Sequence, residues 1–205
     1  MRQAKAYRTS KAPSPLASAD ALQILRFDSI DSTNLEAMRQ AKAGAREGLC
    51  IVAREQTAGR GRLDRSWQSP KDAGLYFSIV LRPELKMNSW PLITLMAALA
   101  ASDALMKACG LRVDIKWPND LCVNERKLGG ILAETIDTEK GPAAIVGIGI
   151  NLCSHGLSDT LREAGTSVES EIAAEPDVEG VLQALLKAMS ERYEVLQSPK
   201  GEEHT

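Results

Sequence analysis

Residues 56–67 read QTAGRGRLDRSW, with Arg60, Arg62 and Arg65 alternating with or flanking Gly59 and Gly61. Guanidinium groups fork onto carboxylate and phosphate oxygens, and glycine backbone lets a ligand come close, so the stretch has the chemistry of an anion clamp. A solvated hairpin tip carrying incidental arginines is the alternative. Residues 116–135, KWPNDLCVNERKLGGILAET, form a second cluster. Trp117 before Pro118 must be extended, and Pro118-Asn119-Asp120 makes a stiff turn that fixes Lys116 and Asp120 in space. Gly129 and Gly130 follow Lys127 at the start of the next strand, where a ligand could lie against backbone with Lys127 reaching over it. Taken alone, this segment is also an ordinary β-hairpin with a polar loop. In the third cluster, DSIDSTNLEA, Ser32, Thr33 and Asn34 stand at a helix start. Free N–H groups and short polar side chains there can bind an anion or an uncharged polar ligand, and capping needs only one of the three.

The elements that must position these clusters follow from patterning. Apolar, β-branched runs at LQILRF, LCIVA, LYFSIVL, RVDIKW, GGILAETI and AAIVGIGINL read as strands. Thr33 and Glu36 have capping-box spacing for a helix that Gly44 stops. Asn88 or Ser89 with Pro91 opens an alanine-rich helix that Gly110 ends. After Pro176 and Asp177, a stripe of Val178, Val181, Leu182, Leu185, Leu186, Met189, Tyr193 and Leu196 predicts a core-packing helix. Cys153 to Glu175 is weakly patterned, a loop with room for a short helix. Strands that fall in pairs without an intervening helix predict an α+β sheet rather than a doubly wound one.

Composition narrows the chemistry. The chain has 205 residues, 44% of them hydrophobic, which suits one domain with one core. A formal net charge of -2 leaves no general basic field for nucleic acid, so any anion site is local. Four cysteines without a Cys-x-x-Cys and only two histidines count against zinc, a disulfide scaffold and a cysteine protease. Neither Gly-x-x-x-x-Gly-Lys-Ser/Thr nor Gly-x-Gly-x-x-Gly is present, since GRGRLD and GIGINL both lack the third glycine. The longest apolar run, WPLITLMAALAASDALM, is interrupted and shorter than the ~20 residues of a membrane span, so it reads as a buried helix of a soluble, cytoplasmic protein. Residues 1–20 are basic and lack a signal core, and read as a disordered tail rather than a transit peptide.

Taken in order and spacing, DSTN, EQTAGRGRLDRSW, LYFSIVLRP, KWPNDL, KLGGILAE and GIGINL resemble the catalytic domain of biotin protein ligases over residues 21–197, with 198–205 as a C-terminal tail. The resemblance implies an α+β fold, a mixed, largely antiparallel sheet backed by helices. It implies a two-step reaction with Mg2+ and ATP: biotin becomes biotinyl-5'-AMP, then a lysine of a biotin carboxyl carrier domain takes the acyl group. Ser32, Thr33, Asn34 and Gln56 would hold the ureido ring with Arg60, Gly61 and Arg62 beside it, and Gly129 and Gly130 would line biotin's path. Arg60, Arg62 and Lys127 would neutralise carboxylate and phosphate oxygens, with Lys127 the main transition-state stabiliser. Arg65, Trp67, Lys116, Asn119 and Asn151 would border ATP or the adenylate, Trp67 against adenine. Asp120 is either a magnesium ligand or an orienter of the incoming amine. Many relatives of this kind carry an N-terminal winged helix and a C-terminal β-barrel domain; neither is expected here, nor DNA or membrane as a partner, while a homodimer is allowed. The competing readings are a lipoate or octanoate ligase or transferase of the same fold, and a catalytically silent biotin-binding module.

Overall fold

The computed structural model describes Leu16 and residues 22–157 and 163–198. In chain order the elements are β1 (Gln23–Phe27), α1 (Thr33–Lys42), β2 (Leu49–Ala53), β3 (Gly74–Leu81), α2 (Leu92–Cys109), β4 (Asp114–Lys116), β5 (Asp120–Val123), β6 (Arg126–Thr138), β7 (Gly141–Asn151), α3 (Val168–Ile172) and α4 (Val178–Leu196). One seven-stranded sheet runs β1-β2-β3-β7-β6-β5-β4. Only β1 and β2 pair in parallel, joined through α1, and every other neighbour is antiparallel. The α+β, largely antiparallel expectation therefore holds.

Strand alternation divides the sheet into two unlike faces. Cys50, Ile79, Leu81, Ala144, Val146, Ile148 and Ile150 point to the face covered by α2 and α4, where the main core lies. Ile51, Val80, Ala143 and Ile145 point to the other face and meet Ala37 and Ala41 of α1 in a much smaller cluster. Beyond α1 that second face stays open, and the three sequence clusters converge there.

The long helices follow most of their sequence signals, but Asn88 and Ser89 lie in a separate 3-10 turn (Met87–Ser89) and α2 starts at Leu92 with Pro91 as its N-cap. Gly110 closes α2 in a left-handed conformation (φ 64), donating its N–H to Met106. By length and composition α2 could cross a membrane, but it is a core helix, with Met96, Ala97, Ala100, Ala101 and Leu105 fully buried. Asp177 caps α4 by accepting from the Gly180 N–H at 3.0 Å, and the predicted stripe is buried except for Val178.

Some local readings change. The N-cap of α1 is Ser32, not Thr33, and Glu36 does not close a capping box: it accepts from Arg39 and Gln40 instead. Residues 120–123 form β5, a strand in their own right, and β6 begins at Arg126, before Lys127 rather than after it. The weakly patterned segment contains α3, capped by Ser167. The tail reading of residues 1–20 lies outside the described residues apart from Leu16, which is buried and whose carbonyl accepts from the Ser190 hydroxyl. The reading of 198–205 lies outside them apart from Ser198.

Candidate active site

Two adjoining cavities open on the α1 side of the sheet, of about 310 Å³ and about 270 Å³. Ser66, Trp67 and Lys127 line both.

At one end of the larger cavity lies the β1–α1 junction. Ser32, Thr33 and Asn34 are nearly fully buried despite their polarity, which is unusual for such residues unless each is bonded. Gln56 organises them: its Oε1 accepts from the Thr33 N–H at 2.8 Å and the Thr33 hydroxyl at 3.0 Å, and its Nε2 donates to Ser69 Oγ at 2.7 Å. The Asn34 amide is also committed inside the protein. Its Nδ2 donates to the Leu132 carbonyl and to Glu134 Oε2, and its Oδ1 lies 2.6 Å from the buried Ser78 hydroxyl. Both Asn34 donors are thus used before any ligand arrives. Asp31 holds the turn from outside, accepting from the Ser32 N–H and a forked pair from Arg39. The Arg39 guanidinium, opposed by some burial, keeps the Asp31 carboxyl below its ordinary range.

Two glycines of β7 make the room. A Cβ on Gly147 would fall 2.2 Å from Asn34 Oδ1, and one on Gly149 would fall 2.7 Å from the Trp67 indole. Both line the larger cavity, so β7 offers bare backbone where side chains would fill it.

The arginine stretch is a stitched turn rather than a loose one. Gly61 N–H donates to the Arg65 carbonyl at 2.7 Å and Trp67 N–H to the Gly59 carbonyl at 2.9 Å. The left-handed residues are Leu63 and Asp64, not the glycines. Gly59 is required for close approach, since a Cβ there would lie 2.3 Å from the Trp67 carbonyl oxygen. The arginines diverge. Arg60 forks onto Glu134 (3.0 and 3.2 Å) beside Asn34, while Arg62 reaches Asn119 Oδ1 at 3.3 Å near the other end. Arg62 and Arg65 have no carboxylate within ion-pair distance among the described residues and both line the cavity.

At that other end, Lys127 Nζ donates to Asp120 Oδ1 at 2.7 Å and lies 5.6 Å from the centre of the Trp67 ring. Lys127 is on β6 and Asp120 on β5, so the sheet itself fixes their spacing. Asn119 is anchored by donating to the Ile131 carbonyl at 3.0 Å. Trp67 Nε1 is buried without a hydrogen-bond partner among the described residues. Asn151 lines the smaller cavity and donates to the Thr166 carbonyl. Two expected residues stand apart. Lys116 pairs with Asp120 across the β4–β5 ladder but is exposed and lines neither cavity, and Gly129 is buried against the Gly149 carbonyl.

Ser78, Glu134, Gly147 and Gly149 escaped the sequence reading as site residues. A lone hydroxyl in the apolar run LYFSIVL and glycines two apart in GIGIN, hence on one face of a strand, were the available signals.

The chain is similar to proteins of one kind. The model of the biotin/lipoate A/B protein ligase family matches residues 26–151. The bifunctional ligase/repressor BirA of Bacillus spizizenii is 35% identical over 202 residues, 92% of this chain and 62% of that protein. The biotin–[acetyl-CoA-carboxylase] ligase of Paracoccus denitrificans is 40% identical over 167 residues, 78% of this chain and 68% of that one. Among solved structures, the biotin protein ligase from Aquifex aeolicus in complex with biotin and ATP superposes with a TM-score of 0.75 at 31% identity, covering 85% of this chain and 72% of that one. The chain therefore spans a little under two thirds of the Bacillus relative's length. With the family model covering most of the sheet and the arginine stretch, the chain belongs to the biotin/lipoate A/B protein ligase family.

Proposed function

We propose that this chain activates biotin with ATP to biotinyl-5'-AMP and passes the acyl group to a lysine of a biotin carboxyl carrier domain. The observation that carries this reading is the pair of cavities meeting at Lys127 and Trp67, one ending in neutral hydrogen-bonding groups, the other bordered by Asn151. A ureido ring is neutral and flat, and it matches an end built from Ser32, Thr33 and Gln56. Lipoate has no such group to offer those donors and acceptors. Adenine belongs in the second cavity against Trp67, which lines it.

In the first step a carboxylate oxygen of biotin bonds to the α-phosphorus, and the bond from that phosphorus to the bridging oxygen breaks, releasing pyrophosphate. Two anions meet, so cations must lie between them. Lys127 and Arg62 stand at that end, Lys127 held by Asp120 and Arg62 by Asn119. In the second step the carrier amine attacks the acyl carbon, AMP leaves, and the amine loses a proton. Asp120 lies where it could orient that amine. Magnesium fits this site only as a partner of ATP: the described residues contain no cluster of three metal-ligating side chains, and Asp120 is the one carboxylate lining the cavities. It would supply charge neutralisation on the phosphates. Beyond the carrier no macromolecular partner is proposed; the proposed compartment is the cytoplasm.

Pyrophosphate release tests the reading. Release that requires both ATP and biotin is expected, and release supported by lipoate but not biotin would replace it with the lipoate alternative.

A further inference from the structure

Glu134 lines neither of the two cavities, yet it touches two residues that line the larger one. Its Oε2 accepts from Asn34 Nδ2 at 2.9 Å, and its two oxygens take the Arg60 guanidinium in a fork at 3.0 and 3.2 Å. The contact joins segments 74 and 100 residues away in sequence. It is also the only side-chain hydrogen bond or ion pair from the arginine stretch to β6 among the described residues. Arg62 ties the same stretch to Asn119 at the reacting end.

We propose that Glu134 is a positioning residue that clasps the arginine stretch, through Arg60, over the ring-binding end of the cavity, leaving Arg62 and Lys127 to meet the reacting anions. The proposal rests on the biotin reading above and refines its division of labour. With both Nη atoms directed to Glu134, the forked donors of Arg60 are committed to that carboxylate, whereas Lys127 gives Asp120 one bond and keeps two N–H donors for a second anion. The gain from Arg60 is geometric. A forked ion pair fixes the guanidinium plane, and the backbone of Arg60 and Gly61 is then held against the cavity that Asn34 borders. Because Glu134 bonds Asn34 as well, the ring-end wall and the overlying turn move as one unit.

The clasp predicts an effect on biotin capture and not on the chemical step. Glu134→Gln keeps an acceptor for Asn34 but cannot fork onto Arg60, and Arg60→Lys keeps the charge but loses the fork. In the pyrophosphate assay each variant should raise KM for biotin roughly tenfold, the scale of one charge-assisted hydrogen bond, with kcat within about twofold of the parent. The double variant should be no worse than the more damaged single one, since both remove the same contact. Arg60 is exposed enough that its conservative replacement leaves folding intact. Unchanged KM, a fall in kcat at unchanged KM, or additive effects would overturn the clasp. Trypsin cleavage within residues 60–65 decides the same point without substrate: it should be faster in Glu134→Gln than in the parent, and equal rates would overturn the proposal. Absence of biotin-dependent pyrophosphate release in the parent would instead overturn the functional reading, with the cleavage comparison still deciding the clasp.

Discussion

Lys127 Nζ has two neighbours of opposite kind, the Asp120 carboxylate at 2.7 Å and the face of the Trp67 ring at 5.6 Å. Replacing Lys127 by alanine removes the cation and also leaves Asp120 without its ion pair where the proposed reaction brings its phosphates, so under that proposal the loss falls on the reacting state. Lys127→Ala should slow single-turnover adenylate formation by roughly 10²-fold or more, the scale of losing a preorganised charge donor, with thermal unfolding unchanged. Asp31 supports a titration test. Its carboxyl is held below the ordinary value of 3.8 chiefly by Arg39. A depressed folded pKa contributes stability above the unfolded value and loses it as pH falls through the folded one. Arg39→Gln should therefore raise the Asp31 pKa seen by carbon-detected NMR. The stability gap between parent and variant should close on acidification; an unmoved Asp31 would contradict the assignment. Residue types were legible where chemistry is dense, as in the arginines, Lys127 and Asp120. Ser78 and Glu134 were not, because their partners lie 44 to 100 residues away in sequence and only the sheet brings them together.

β7 acts at the scale of an element by what it omits. Gly147 and Gly149 share one face of the strand, and each lies where a methyl group would strike Asn34 or Trp67. Gly147→Ala should weaken biotin binding at least tenfold by driving the Asn34 amide off Ser78 and Glu134, as titration calorimetry would show. Retained affinity would mean that Asn34 is not held as described. α4 gives the contrasting case of an element set by packing alone. Leu185 is fully buried in the core, and Leu185→Ala should cost ~2–5 kcal/mol in denaturant unfolding without altering biotin affinity per folded molecule. That helix could be read from its stripe because apolar spacing and burial are the same fact. The start of α1 could not, since the Thr33 hydroxyl serves Gln56 and lies beside Ser78 rather than capping its own helix. β5 and the early start of β6 were obscured for a similar reason: β5 pairs with β4 and with the first residues of β6, and this pairing, not local propensity, sets where they begin.

The whole molecule is a sheet with unequal faces, a thick apolar core under α2 and α4 and a recessed site with a partly polar lining beside α1. Six separate parts of the chain line its larger cavity: residues 32–34, 56–67, β3, residues 118–120, β6 and β7. No single segment announces it, and it was legible mainly through the order of six short motifs that resemble one family. Under the proposed function the arginine stretch would also help retain the intermediate, since Arg62 ties it to Asn119. Arg62→Gly should still form the adenylate but release it faster, so that bystander lysines are labelled; unchanged release and unchanged selectivity would remove Arg62 from that role. The central claim, that the two cavities jointly hold a biotinyl adenylate, is tested most directly by native mass measurement of the chain after incubation with ATP, magnesium and equimolar biotin and lipoate. The account predicts one bound biotinyl-5'-AMP per chain, whereas a lipoyl adenylate, or biotin retained without AMP, would contradict it.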